Sequence, residues 1–178
     1  MSYLEILFLA FALSIDAMVV SFSYGLAFKE NRTKNALLLA FCTGFFQAGM
    51  PVIGYYLTNF VKSFIAPYAS LIVCVIFVFL GLKFIKEAFE KKETPQCIST
   101  ACLILIGIAT SIDAFSAGIS LALYGNRILK PMLLIGAVTF MNSCIGFKLG
   151  GKLKHLPTTG LEVFAGVVLI ALGIKAIL

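Results

Sequence analysis

An all-α membrane protein of six transmembrane helices, arranged as two three-helix repeats of opposite orientation, is what this 178-residue sequence predicts. Three observations lead there. The chain is 61% hydrophobic and 12% charged, with a mean hydropathy of +1.04, which is more apolar surface than a water-soluble domain of this size can bury. The apolar residues gather in six stretches, about 4–28, 36–59, 66–85, 99–124, 131–150 and 160–178, each near the ~20 residues a helix needs to cross a bilayer core. One phrase also occurs twice, as Ser14-Ile15-Asp16-Ala17 and, 97 residues later, as Ser111-Ile112-Asp113-Ala114. No run of alternating ten-residue segments suggests a membrane β-barrel.

The stretches differ in what they carry. The first has Asp16 at its centre, lacks a basic segment before it and is too long for a signal-peptide core, so it is expected to stay as a membrane helix. In the second, helical spacing gathers Thr43, Gly44, Gln47 and Gly54 on one face. Pro51 there removes the N–H that would bond the carbonyl of Gln47. The third has no polar group at mid-depth and reads as scaffold. The fourth, taken as one continuous helix, sets Ala109, Thr110, Ser116, Ala117 and Ser120 beside Asp113. The fifth aligns Gly136, Thr139, Asn142, Ser143 and Gly146, and the sixth resembles the third.

The repeat extends past the Asp phrase. Ile53-Gly54-Tyr55-Tyr56-Leu57 matches Ile145-Gly146-Phe147-Lys148-Leu149, and Leu80-Gly81-Leu82-Lys83 matches Leu172-Gly173-Ile174-Lys175, both at a spacing of 92. Residues 1–88 and 99–178 form the repeats, and the charged segment 89–98 is the linker. Three spans per repeat force the second to enter the membrane upside down, the plan of many secondary transporters, with a site at the midplane between repeats.

The net charge of +6 is a topology signal and does not call for nucleic acid. Ten basic residues (Lys29, Arg32, Lys34, Lys83, Lys86, Lys91, Lys92, Lys148, Lys152 and Lys154) fall at loops 1–2, 3–4 and 5–6, against four on the other side (Lys62, Arg127, Lys130 and Lys175). The richer side is expected in the cytoplasm, with both termini outside. The five cysteines show no metal-binding spacing and read as small buried apolar residues. His155 reads as a solvated loop residue, and Tyr24 and Tyr124 as interfacial anchors. The run from Gly146 to Leu153 approaches a phosphate-loop spacing, but Leu153 replaces the required hydroxyl and no strand precedes it, so it reads as a packing face. ATP drive is not expected.

A carboxylate at mid-membrane costs roughly 2.5–3.5 kcal/mol on the insertion scale. Two in matching places point to joint use. Asp16, Asp113, Gln47, Asn142, Thr139 and Ser116 form the candidate metal-binding set, all oxygen donors if each amide turns its oxygen inward. Such donors suit Mg²⁺, Ca²⁺ and Mn²⁺ over thiophilic metals.

The phrases LSIDAMVVSFSYGL, GFFQAGMPVIGYYL, ATSIDAFSAGISLAL, GAVTFMNSCIGFKLG and FAGVVLIALGIKAIL resemble the MntP-type manganese efflux pumps of the wider LysE-like exporter superfamily, over nearly the whole chain. The resemblance implies efflux of Mn²⁺ across a bacterial plasma membrane and maps the acidic transport residues onto Asp16 and Asp113. Some members have an acidic residue where Gln47 stands and others have Gln, so this chain carries one carboxylate fewer than the acidic members. The metal is cargo and no cofactor is implied; the partners are the divalent ion, the lipid bilayer and protons as coupling ion, and a homo-oligomer stays open. Driving a 2+ ion outward costs about 4.6 kcal/mol per 100 mV, which protons can supply by displacing metal from carboxylates. The alternatives are a LysE-type exporter of a cationic or zwitterionic solute and a sporulation-associated membrane protein without an established substrate. More remote is an intramembrane aspartyl protease, for which neither Asp has a GxGD context.

Overall fold

The computed structural model describes residues 3–28, 30–89, 99–125, 127–152, 159–175 and 177, and every regular element among them is helical. In order these are α1 (Tyr3–Ala27), α2 (Arg32–Ile65), a 3-10 turn (Ala66–Tyr68), α3 (Ala69–Ala88), α4 (Thr100–Ala109), α5 (Ile112–Leu123), α6 (Leu129–Lys152) and α7 (Thr159–Lys175). Three of them, α1, α2 over Arg32–Phe60, and α6, are long and apolar enough to cross a bilayer, and α4 with α5 make a fourth, bent candidate. Ala69–Lys83 and Val163–Lys175 are shorter apolar helices. His155, Cys97 and linker positions 90–98 lie outside the described residues.

The stretch 99–124 is not one helix. It breaks at Thr110-Ser111, and its halves are bent by 40°. The cause is local. Thr110 Oγ1 donates to the Ile106 carbonyl at 2.9 Å and Ser111 Oγ to that of Gly107 at 2.6 Å. Two adjacent hydroxyls thus take over carbonyls at the end of α4, and such back-bonding bends helices. In α1 the position matching Thr110 is Leu13, which has no hydroxyl, and α1 runs unbroken through Asp16. Ser99 caps the start of α4 by accepting from Cys102 N at 3.4 Å. Gly125, at φ +70°, lets the chain turn out of α5.

Packing follows the small residues. α1 lies on α6, α3 on α7, and α2 against α6, α5 and α4. A Cβ added at Gly146 would sit 2.3 Å from the Met18 carbonyl oxygen, and one at Gly150 would sit 2.0 Å from that of Phe22. The glycines of the phosphate-loop lookalike therefore form a helix–helix seam inside α6. α2 meets α5 equally closely, with Gly54 against the Phe115 carbonyl and Gly118 against that of Pro51. Leu9, Leu13, Phe77, Ile135 and Leu169 fill the core between α1, α3, α6 and α7. Large apolar side chains such as Phe41, Phe45, Phe60 and Leu105 face outward.

Two expectations need correction. Tyr24 is no interfacial anchor. It is buried against Leu39, Leu103 and Phe147, with its Oη 3.7 Å from Cys102 Sγ. Cys42, Cys74 and Cys144 are half-buried free thiols, whereas Cys102 is disulfide-bonded rather than an inert apolar filler.

Candidate functional site

The two acids arrive on different supports. Asp16 is half-buried midway along continuous α1, whereas Asp113 is buried in the first turn of α5, directly after the break. Its Oδ1 accepts from the Ala114 backbone N–H at 2.8 Å, which satisfies one of the free N–H groups of that turn. Asp16 and Lys83 are the charged side chains that act on Asp113, one negative and one positive.

Gln47 and Asn142 each hold the chain just before one of these acids. Gln47 Nε2 donates to the Thr110 carbonyl at 2.7 Å, three residues before Asp113. Asn142 Nδ2 donates to Ser14 Oγ at 2.6 Å, two residues before Asp16. With its NH₂ group turned to Thr110, the Gln47 amide directs its oxygen elsewhere. That oxygen is buried without a partner.

Among the described residues, four buried side-chain oxygens have no hydrogen-bond partner: Gln47 Oε1, Asp113 Oδ2, Thr139 Oγ1 and Ser21 Oγ. Three belong to residues chosen from the sequence. An orphaned buried polar group costs about 1–3 kcal/mol, and native structures hold few without a reason. The hydroxyls that tie the scaffold are engaged, with Thr43 Oγ1 and Ser143 Oγ 3.0 Å apart between α2 and α6. Ser116 is half-buried, and its hydroxyl has a partner, the Ile112 carbonyl at 3.4 Å. No cluster of three His, Cys, Asp or Glu exists among the described residues. Carboxylate, amide and hydroxyl oxygens are hard donors.

Two residues escape the sequence reading. Ser21 lies inside the first quoted phrase but at a helical angle well away from Asp16, and its repeat counterpart is Gly118, so no matching hydroxyl marks it. Lys83 sits near the end of its apolar stretch and reads as a loop charge. It is half-buried in α3, and its match to Lys175 was the available signal.

Comparison with known proteins adds the following. Residues 30–177 match the family described as "Putative manganese efflux pump". Curated relatives, each described as "Putative manganese efflux pump MntP", are similar over nearly full length. That of Methanosarcina acetivorans is 39% identical, covering 98% of this chain and 95% of its own. That of Methanothermobacter thermautotrophicus is 37% identical, covering 100% and 97%. That of Aliarcobacter butzleri is 37% identical, covering 98% and 99%. No solved structure matches the chain.

Proposed function

We propose, since this chain belongs to the family of manganese efflux pumps, that it carries Mn²⁺ outward across the plasma membrane in exchange for protons. The cargo would bind among Asp16, Asp113, Gln47 and Thr139. The observation that carries this reading is the set of orphaned oxygens: Asp113 Oδ2, Gln47 Oε1 and Thr139 Oγ1 are buried without partners on α5, α2 and α6. Three neutral or anionic oxygens left open on separate helices suit a hard cation, which would repay their desolvation. The family is one of transporters, and the protease reading is set aside. Protons fit as the coupling ion because a carboxylate that binds metal when ionised releases it when protonated. The direct test is Mn²⁺ accumulation in an efflux-deficient bacterium. Cells expressing the chain should hold less Mn²⁺ and tolerate more of it. Equal accumulation with and without a chain that inserts would refute export.

The inverted repeat belongs to the same proposal, and the packing supports it. Exchanging α1 with α4–α5, α2 with α6, and α3 with α7 interchanges the observed contacts: α1 on α6 with α5 on α2, and α1 on α7 with α5 on α3. Individual contacts obey the same exchange. Gly146 meets the Met18 carbonyl and Gly54 that of Phe115, partners separated by the 92 and 97 of the sequence repeat. Gly81 meets the Gly166 carbonyl and Gly173 that of Cys74. Gln47 and Thr139 are also 92 residues apart, so the carboxylate pair would be joined by a repeat-related pair of neutral oxygens. Both termini would then lie outside. A cysteine introduced at Asn31, in the α1–α2 turn, is expected to react only with membrane-permeant reagents. Rapid labelling from outside intact cells would reverse the orientation.

Gln47→Ala is expected to weaken transport without ending it. The change removes one neutral oxygen and releases the Thr110 carbonyl, but leaves both carboxylates. An apparent KM for Mn²⁺ raised roughly tenfold corresponds to about 1.4 kcal/mol. Vesicle uptake with Mn²⁺ varied at fixed pH measures it, and an unchanged KM would reassign Gln47 to helix packing.

A further inference from the structure

A cavity of about 640 Å³ opens between the first turns of α1 and α6, away from the carboxylates, and its lining includes Tyr3, Ile6, Arg127, Lys130, Leu133 and Leu134. We propose that it is a binding site for one anionic phospholipid, with the phosphate held by Arg127 and Lys130 and an acyl chain laid along Ile6, Leu133 and Leu134.

The charge pattern selects the ligand. Both ionisable side chains named in the lining other than the phenol are cationic, and among the described residues no carboxylate lines the cavity. The acid of this end, Glu5, is paired with Lys175 of α7. Arg127 and Lys130 are exposed, immediately before and at the start of α6, the level at which lipid headgroups meet a membrane helix. Lys130 is also held in place. Its Nζ donates to Tyr3 Oη at 2.6 Å and stands 5.3 Å from the ring centroid, fixing one ammonium at the rim with N–H groups to spare. Below the rim the wall is aliphatic. The volume lies within the roughly 300–1,000 Å³ typical of small-molecule sites. A free anion would satisfy the cations but leave the aliphatic wall wet, whereas a neutral phospholipid would fill the wall but bring its own ammonium against the two cations, offsetting the attraction of its phosphate. An anionic phospholipid does both. This site is independent of the transport reading.

The test is native mass spectrometry of the full chain released from mixed micelles with equal phosphatidylglycerol and phosphatidylcholine. The parent is expected to retain one phosphatidylglycerol in preference to phosphatidylcholine. R127Q/K130Q should lower that preference about fivefold per charge removed, whereas R127K/K130R should keep it. K148Q, which removes an exposed charge of α6 outside this cavity, should also leave it unchanged. Inorganic phosphate in millimolar excess should not displace the lipid. Equal retention of the two lipids by the parent, full retention by R127Q/K130Q, an equal loss in K148Q, or displacement by phosphate alone would each overturn the assignment.

Discussion

Asp113→Asn is expected to abolish Mn²⁺ export while the protein still folds and inserts. Asparagine keeps the shape, and its Oδ1 can still accept the Ala114 N–H that Asp113 Oδ1 accepts at 2.8 Å, so that N–H in the first turn of α5 keeps its partner. What changes is the orphaned Oδ2. It becomes an NH₂ group, which aims positive hydrogens where a cation would bind. The proposed site would then have one negative charge for a 2+ ion in a place shielded from water, where charge mismatch is expensive. Loss of a supporting outer partner typically costs roughly 10–100-fold in metal affinity or activity, and loss of a ligand charge should exceed that. Asp16→Asn should behave alike. Growth on toxic Mn²⁺, with membrane levels checked by blotting, reads the result. A normally inserted Asp113→Asn protein that protects cells as well as the parent would remove Asp113 from the transport path.

The largest effect on stability is expected at the helix seams. In Gly146→Ala the new methyl would lie 2.3 Å from the Met18 carbonyl oxygen, and in Gly54→Ala it would lie 2.3 Å from that of Phe115. Both obstacles are backbone, so no side-chain rotation relieves them, and a helix must move. Overpacking of this kind costs at least about 1–3 kcal/mol, and each change is expected to lower the thermal midpoint in detergent by many degrees. Gly49→Ala is the control. Nothing lies within 4 Å of its added Cβ, and alanine favours a helix over glycine by up to ~1 kcal/mol. If Gly146→Ala melted with Gly49→Ala, the close α1–α6 approach would be wrong.

Much of this architecture was legible because bilayer thickness sets a length that apolar runs must meet. The runs about 4–28 and 131–150 agree with α1 and α6 to within a turn. Asp16 and Asp113 draw notice in the sequence because a repeated acid stands out against apolar neighbours. The helix break was not. Hydropathy records Thr110 and Ser111 as mildly polar and cannot record that their hydroxyls bond backward into the preceding turn. Nor could sequence decide which end of the Gln47 amide is left without a partner, since the Thr110 carbonyl of another helix decides it.

The break at Thr110-Ser111 makes the two acids mechanically unequal. Asp16 is fixed to a rod of 25 residues, and moving it means moving the whole rod along its seam with α6. Asp113 is mounted on a 12-residue helix beyond a joint, so it can move without α4, though only along the seam that α5 makes with α2 at Gly54 and Gly118. The pair thus resembles a clamp with one fixed jaw and one hinged jaw. Whatever the grip would hold, its opening would depend on the compliance of that joint together with the α2–α5 seam, and stiffening the joint would slow release without weakening the grip.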